Sequence, residues 1–307
     1  MKKYILQTQN VTKTFGRYTA LNNVSISLEQ GKVYGLIGQN GAGKTTLMRL
    51  IAGLSFPSEG TIELFGSKSE KETQEALKRI GCLIEYPSLN GNMTAKENLT
   101  LHRIIRGIPN EEIEDELLEI VGLNDTGKKK AKDFSLGMRQ RLGIAIALLG
   151  SPELLILDEP INGLDPVGVV EIRNLLKKMC KERNMTILIS SHNLPELYQT
   201  CTNYIIINKG EIKKVLTLSE LEDCCKHHIK IECSNPERLV EVLERKLEIN
   251  NYKVMEDKSI KIYERLDEKE RISKTIYENG VIPIHFAIEG DTLENYFLSV
   301  IGGGKDA

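Results

Sequence analysis

The stretch GLIGQNGAGKTTLMRLIAGL, Gly35 to Leu54, decides the fold of this chain. The pattern GxxxxGK[ST] within it is filled by Gly38, Gly43, Lys44 and Thr45. An apolar run, Val33 to Ile37, comes directly before the glycines, and apolar residues at helical spacing follow them. A strand, a glycine turn and a helix in that order are the context in which this pattern forms a phosphate-binding loop.

The residue types in this loop each have a chemical reason. Glycines allow backbone N–H groups to converge on phosphate oxygens, and the helix then begins with the positive end of its dipole toward the anion. Lys44 is expected to neutralise charge on the β- and γ-phosphates, and Thr45 to offer its hydroxyl to the Mg²⁺ that bridges them. A glycine turn that binds nothing would need neither side chain, so the pattern favours a nucleotide site.

The bulk composition is that of an ordinary globular protein, and the length suggests two domains. The chain has 307 residues, of which 40% are hydrophobic and 27% charged, with a formal net charge of −2. This balance gives no reason to expect nucleic acid as a partner. No apolar stretch reaches the roughly 18 residues that cross a bilayer, and the opening MKKYILQTQN turns polar too early for a secretory signal. We therefore expect a cytosolic location.

The six cysteines are scattered, which fits a reducing compartment better than a disulfide framework. One group has the residue types of a zinc site: Cys224, Cys225, His227, His228 and Cys233. Its adjacent cysteines lack the CxxC spacing that lets two thiolates grip one ion, so ordinary residues at a domain junction are the favoured interpretation.

An aromatic residue lies upstream of the phosphate loop. Short, partly alternating strands are predicted between Tyr4 and Leu28, and Phe15 stands between them beside Gly16. An exposed aromatic there can stack on adenine, whereas a Phe at a strand end can equally belong to the core. The residues alone leave both interpretations open.

Helical character replaces strand character beyond a predicted strand, IGCLIE, that ends at Glu85. Thr94 and Glu97 form a capping box, and we predict an apolar helix face made of Leu99, Leu101, Ile104 and Ile105. Ser135 and Gly137 then open a further apolar helix. A serine and a glycine at a helix start can bind a phosphate, although an ordinary N-cap explains them as well.

The run ELLILDEP predicts a buried strand that ends in two carboxylates. Ligands of parallel α/β sheets collect at the carboxyl ends of strands, and adjacent residues on a strand point to opposite faces. Asp158 therefore suits the Mg²⁺ shell, and Glu159 suits orienting or deprotonating a water.

A second buried strand, Thr186 to Ile189, ends at Ser190, Ser191 and His192. A lone histidine after a strand is usually structural, but this one is well placed to touch a γ-phosphate. Between the two strands lies a turn, NGLDP, followed by a helix.

The composition shifts near Leu221, and the remaining elements run roughly βαββαβα. That order is typical of a small α+β domain with a ferredoxin-like layout. We therefore predict an α/β P-loop domain at 1–221, with a helical insertion at about 86–145, and an accessory α+β domain at 222–307.

Two other P-loop classes fit poorly. A GTPase needs DxxG after the acidic strand and NKxD for guanine, but Ile161 stands where that glycine would be and Glu211 where that aspartate would be. A small-molecule kinase would leave the Ser135 region and the helical insertion without a purpose.

Taken in order, the motifs from Tyr4 to Leu221 resemble the ATP-binding subunit of an ABC transporter. The resemblance matches Leu154–Glu159 to the Walker B strand and Phe134–Met138 to the LSGGQ signature, and it implies that two cassettes meet head to tail. It implies ATP and Mg²⁺ as ligands, with Glu159 and His192 catalytic and with Thr45, Glu85 and Asp158 at the metal. It also implies that ATP contacts Phe15, Gly38, Asn40, Gly41, Ala42, Gly43, Lys44, Thr45, Thr46, Ser135, Gly137 and Asp165.

Two motifs depart from the family pattern. The signature reads FSLGM, without one glycine and the glutamine, and Glu85 stands where the Q-loop glutamine is usual. With the following loop, this Glu makes the chain similar to the ATPases of bacterial lantibiotic-immunity and bacitracin-resistance exporters, which also carry a C-terminal appendage.

The resemblance implies a homodimer that drives antimicrobial-peptide export through integral membrane permease subunits, held by them at the inner face of the cell membrane. Export of another substrate, such as a drug or lipid, is the first alternative. The second is an ABC-type ATPase that acts on ribosomes or chromosomes, but the single cassette and the lack of heptads disfavour it.

Overall fold

The computed structural model describes residues 3–67, 69–290 and 292–302. The chain forms two compact units, Met1–Leu218 and Ser219–Ala307, each with its own apolar core.

The first unit is built on a mostly parallel sheet with the strand order β10-β9-β4-β8-β7-β6. A second sheet of this unit is antiparallel, and in it β1 pairs with β2, β3 and β5. The strands are β1 (Tyr4–Phe15), β2 (Tyr18–Val24), β3 (Ser27–Glu29), β4 (Val33–Ile37), β5 (Glu59–Leu64), β6 (Ile80–Leu83), β7 (Leu154–Asp158), β8 (Thr186–Ser191), β9 (Asn203–Asn208) and β10 (Glu211–Thr217).

Strands β4, β7 and β8 are buried along their whole length, which explains why they are continuous apolar runs rather than alternating ones. They pair in parallel, so their carboxyl ends meet at one edge. The helices of this unit are α1 (Lys44–Ile51), α2 (Glu70–Leu77), α3 (Ala95–Ile105), α4 (Ile113–Ile120), α5 (Leu136–Leu148), α6 (Pro166–Arg183) and α7 (Leu194–Thr200). The predicted α/β P-loop fold is confirmed.

Helices α3, α4 and the start of α5 occupy the segment predicted as a helical insertion. The Thr94–Glu97 capping box is present at the start of α3. The predicted apolar face of α3 includes one buried residue, Leu99, whereas Leu101, Ile104 and Ile105 are exposed. Helical spacing identified the helix, but spacing does not say whether each apolar side chain has a partner within the chain.

The second unit has the predicted βαββαβα order after a first short helix. The strand order β12-β13-β11-β14 is antiparallel throughout, with the first strand of the motif in the centre beside the third and fourth, as in ferredoxin-like folds. Its elements are α8 (Leu218–Cys225), β11 (His228–Cys233), α9 (Pro236–Lys246), β12 (Tyr252–Val254), β13 (Ile260–Ile262), α10 (Lys269–Glu278), β14 (Pro283–Glu289) and α11 (Leu293–Ile301).

Candidate nucleotide site

The phosphate-binding loop connects β4 to α1 with no room for side chains at two of its glycines. A Cβ on Gly38 would lie 2.5 Å from the carbonyl oxygen of Ile207. Gly43, the N-cap of α1, has φ 106°, and a Cβ there would lie 2.9 Å from the carbonyl oxygen of Ala20. Glycine is therefore required at both positions, and the loop brings its backbone N–H groups to the positive end of α1.

Lys44 lies at the centre of the loop. Its side chain is only 6% exposed, and Nζ donates hydrogen bonds to the carbonyl oxygens of Gly38 at 2.7 Å and Gln39 at 3.3 Å. Its Nζ also lies 3.7 Å from Oε1 of Glu159. The loop thus holds a buried cation where the charge of a polyphosphate would enter.

Asp158, the last residue of β7, is buried and has a hydrogen-bond donor on each carboxylate oxygen. The Thr45 hydroxyl donates to Oδ2 at 2.8 Å, and the Ser190 hydroxyl donates to Oδ1 at 2.5 Å. Residues 113 positions apart meet here because β4 and β7 end at the same sheet edge and α1 begins there. The Thr45 and Asp158 side chains therefore place a hydroxyl and a carboxylate side by side.

These donors fit Mg²⁺. The ion prefers oxygen ligands, is usually bound by one or two carboxylates, and takes its remaining positions from phosphates and water. Within residues 3–67, 69–290 and 292–302, no cluster of three or more His, Cys, Asp or Glu side chains has metal-binding geometry.

Glu159 lies just beyond β7 rather than on it. We predicted two adjacent acids on one strand, but β7 ends at Asp158 and Glu159 has φ 50°, in the left-handed region. Its carboxylate lies 2.9 Å from Nδ1 of His192, and its backbone N–H donates to the Ser190 hydroxyl at 2.9 Å. The turn of the backbone, and not strand alternation, separates the two carboxylates.

Ser190 is a residue whose role sequence reasoning missed. Its buried hydroxyl accepts from the Glu159 N–H and donates to Asp158, so one side chain fixes both acids. The signal was in the register, because Ser190, the last residue but one of β8, lies directly opposite Asp158 in the parallel pair. A hydroxyl at that strand end can reach a carboxylate on the neighbouring strand.

A cavity of about 270 Å³, here called the P-loop cavity, lies over the loop. Phe15 lines it and is 55% exposed, which excludes core packing for this side chain. Tyr18 also lines it and is 60% exposed, an aromatic neighbour that the sequence did not single out. The full lining is Phe15, Tyr18, Ala20, Asn40, Gly41, Ala42, Gly43, Lys44, Thr45, Thr46, Asp158 and Glu159.

Four of the predicted ATP contacts are not in this lining. Gly38 belongs to the loop, where its carbonyl accepts from Lys44, and the other three lie outside the loop. Ser135 is the N-cap of α5, where its hydroxyl accepts from the Met138 N–H at 3.2 Å, and Asp165 is the N-cap of α6. Gly137 lies near the residue that precedes Asp165, because a Cβ on it would be 3.5 Å from Cδ2 of Leu164. Among the described residues, the lining of the P-loop cavity includes none of these three.

Glu85 has a partner that the sequence did not suggest. The prediction that it ends a strand is wrong, because β6 ends at Leu83 and Glu85 follows with φ 66°. Its Oε1 accepts a hydrogen bond from Nη2 of Arg49 on α1 at 2.5 Å. The carboxylate lines a larger cavity of about 990 Å³ together with Asp158 and Glu159.

Two thiols of this unit are disfavoured as thiolates by burial. Burial raises the pKa of Cys82 in β6 and of Cys201 after α7. A protonated buried thiol is a poor nucleophile and a poor metal ligand.

The glycine loop, the buried lysine, the Thr45–Asp158 pair and the Glu159–His192 pair together define a P-loop nucleoside triphosphatase. The ABC transporter family model matches residues 21–162. The bacitracin transport ATP-binding protein BcrA of Bacillus licheniformis is 42% identical over 98% of both chains. The chain belongs to the ATP-binding subunits of ABC transporters, and it is an ATPase.

Other relatives agree with this assignment. The lantibiotic transport ATP-binding protein SrtF of Streptococcus pyogenes is 44% identical over 68% of this chain and 89% of its own. A dimeric ATP-binding cassette solved in a post-hydrolysis state with ADP and Pi is 26% identical, with a TM-score of 0.62 over 69% of this chain and 98% of its own.

Among the helices that the structure describes, none combines the length and the apolar character of a membrane span.

Proposed function

We propose that this ATPase drives the export of antimicrobial peptides through integral membrane permease subunits. The observation that carries the proposal is the full-length match to a bacitracin transport subunit, which extends through the C-terminal unit. The lantibiotic transport relative supports the same substrate class. Glu85 at the Q-loop position is the feature of this chain that agrees with that sub-family.

For catalysis, we assign one role to each group of the site. The loop N–H groups and Lys44 bind the phosphates, and Thr45 and Asp158 would hold Mg²⁺, which would neutralise phosphate charge. Glu159 orients and deprotonates the attacking water, and His192 contacts the γ-phosphate. The 2.9 Å contact between Glu159 and His192 supports their action as a pair.

We further propose that two copies of the chain form the working unit. Ser135 and Gly137 would then bind the ATP held by the P-loop of the other copy, with Asp165 beside them. Their positions at helix starts outside the P-loop cavity of their own chain support this arrangement. The dimeric cassette among the similar solved structures supports it as well.

The surface of α3 is our candidate for permease contact. Leu101, Ile104 and Ile105 lie one turn apart on one side of the helix and are exposed, although a soluble surface gains nothing from exposing them. An exposed apolar helix face fits a protein partner. This contact would hold the ATPase peripherally on the inner face of the cell membrane.

The test is isolation of tagged chain from membranes, identification of co-purified proteins, and expression of the complex in peptide-sensitive cells. We expect permease subunits to co-purify, and survival to rise against bacitracin or lantibiotics but not in cells carrying Glu159→Gln. Protection only against an unrelated drug, or transport of lipid, would show that antimicrobial peptides are not the substrate class. Co-purification with ribosomes in place of membrane proteins would overturn the transport function.

A further inference from the structure

Helix α1 presents two polar contacts on one side. Thr45, in its first turn, donates to Asp158 at 2.8 Å, and Arg49, four residues later, binds Glu85 at 2.5 Å. Residues four apart lie on the same face of a helix, about one 5.4 Å turn from each other. Arg49 therefore binds Glu85 from the same face of α1 that carries Thr45, and Glu85 lines one cavity with Asp158.

The contact between Arg49 and Glu85 is suited to being exchanged. Their side chains are 45% and 54% exposed, and exposed ion pairs are weak because water screens both charges. Glu85 also has φ 66°, an unusual conformation for a residue with a side chain. A carboxylate that is weakly held on a strained backbone can move to a stronger cation.

The loop after Glu85 is attached to the helical insertion. The carbonyl oxygen of Ser88 lies 3.1 Å from Nε2 of His102 on α3. The Asn90 N–H donates to Oδ1 of Asn98 at 2.8 Å, and Asn98 Nδ2 donates back to the Asn90 carbonyl at 3.2 Å. Movement of Glu85 would therefore be passed to α3, the helix that carries the exposed apolar side chains.

We propose that Arg49 is a positioning residue that competes with Mg²⁺ for Glu85. With Arg49 as its partner, the Glu85 carboxylate is held by α1 and not by the Thr45–Asp158 pair. With Mg²⁺ and ATP bound, the carboxylate would leave Arg49 for the ion, and the loop that follows Glu85 would move with it. The inference rests on the magnesium site of the proposed function, and it explains what a glutamate offers at this position, since a neutral amide forms no ion pair with Arg49.

The test is the Mg²⁺ dependence of nucleotide binding, measured with a fluorescent ATP analogue in the Glu159→Gln background so that hydrolysis does not interfere. Arg49→Ala should lower the Mg²⁺ concentration at half-saturation by about two- to fivefold, the range that an exposed ion pair supports. Arg49→Lys should remain close to the parent. Hydrogen exchange in 84–90 should be faster in Arg49→Ala without Mg²⁺ and equal to the parent with it.

Removing any positive charge near a cation site can strengthen cation binding. We therefore measure Arg49→Ala in a double-mutant cycle with Glu85→Gln. In the Glu85→Gln background, Arg49→Ala should cause no shift, whereas a general charge effect would persist. Arg238→Ala is the matched control, because Arg238 forms a 2.5 Å pair with Glu241 at similar exposure in the second unit.

Three results would overturn the inference: no shift in Arg49→Ala, an equal shift in the Glu85→Gln background, or an equal shift in Arg238→Ala. In each case Mg²⁺-dependent binding by the parent would leave the proposed function standing. Binding that does not depend on Mg²⁺ in the parent would remove the magnesium site and the competition with it.

Discussion

The two units of this chain use their sheets differently. In the first unit, parallel strands bring together polar residues that are far apart in the chain, such as Thr45 and Asp158, 113 positions apart. In the second unit, many polar side-chain pairs are local, such as His285 with Glu289 and Arg238 with Glu241. Its long-range contacts are largely those of an apolar core.

The difference follows from strand direction. Parallel strands end at the same edge, so the residues after β4, β7 and β8 converge on one small volume. Antiparallel neighbours end at opposite edges, so the polar ends of β11 and β14 are divided between the two sides. We infer that the first unit carries the chemistry and that the second serves for packing or recognition.

The largest expected effect is that of Glu159→Gln, which tests whether the first unit carries the chemistry. We expect steady-state ATP hydrolysis to fall by about 10²–10⁴-fold, because the variant lacks the general base. Nucleotide binding should survive, since Lys44, Thr45 and Asp158 are unchanged. Phosphate release and titration with a fluorescent ATP analogue measure the two properties, and light scattering should show that ATP holds two copies of the variant together.

Glu153→Gln, at the residue just before the same strand, is the matched control. Glu153 precedes β7 at its other end and binds Arg79 at 2.6 Å, far from the carboxyl edge. Hydrolysis by this variant should be normal. If Glu159→Gln hydrolysed ATP at a rate close to that of the parent, the base would have to be another residue.

A second test concerns Lys44→Ala, which removes the buried cation of the loop. We expect ATP affinity to fall by about 10- to 150-fold, the equivalent of ~1.5–3 kcal/mol for hydrogen bonds to a charged group. Equilibrium titration measures it, with the exposed Lys78→Ala as control. Unchanged affinity in Lys44→Ala would contradict the role of the loop in phosphate binding.

The sequence predicted the loop, the acidic strand and the βαββαβα order, because each depends on short-range pattern. It missed the Ser190 bridge and the Arg49–Glu85 pair because these depend on which strand ends or helix turns become neighbours in space. It misplaced Glu159 because a left-handed turn residue leaves no mark in the sequence unless it is glycine or asparagine.

The exposed face of α3 is a second feature that the sequence pattern left open. Apolar spacing predicted an apolar face that includes Ile104 and Ile105, and both of these side chains are exposed. A helix that packs within its own chain and one that packs against another subunit carry the same pattern. Only the structure shows which apolar residues still lack a partner within the described chain.

The smallest expected effect is that of removing the second unit, and it tests the division most directly. The backbone N–H of Leu218 bonds the carbonyl of Thr202 at 2.9 Å, which closes the first unit at the residue where the two units divide. Each unit has a separate core, so a chain that ends at Leu218 should remain folded. We expect its ATP affinity to stay within about twofold of the full chain, because the residues lining the P-loop cavity all precede this point.

Circular dichroism and nucleotide titration measure folding and binding, and Lys44→Ala in the shortened chain is the control for specific binding. An insoluble product, or one that no longer binds ATP, would show that the second unit supports the site after all. Normal binding together with loss of peptide protection in cells would instead assign the second unit to recognition of a partner or of the transported substrate.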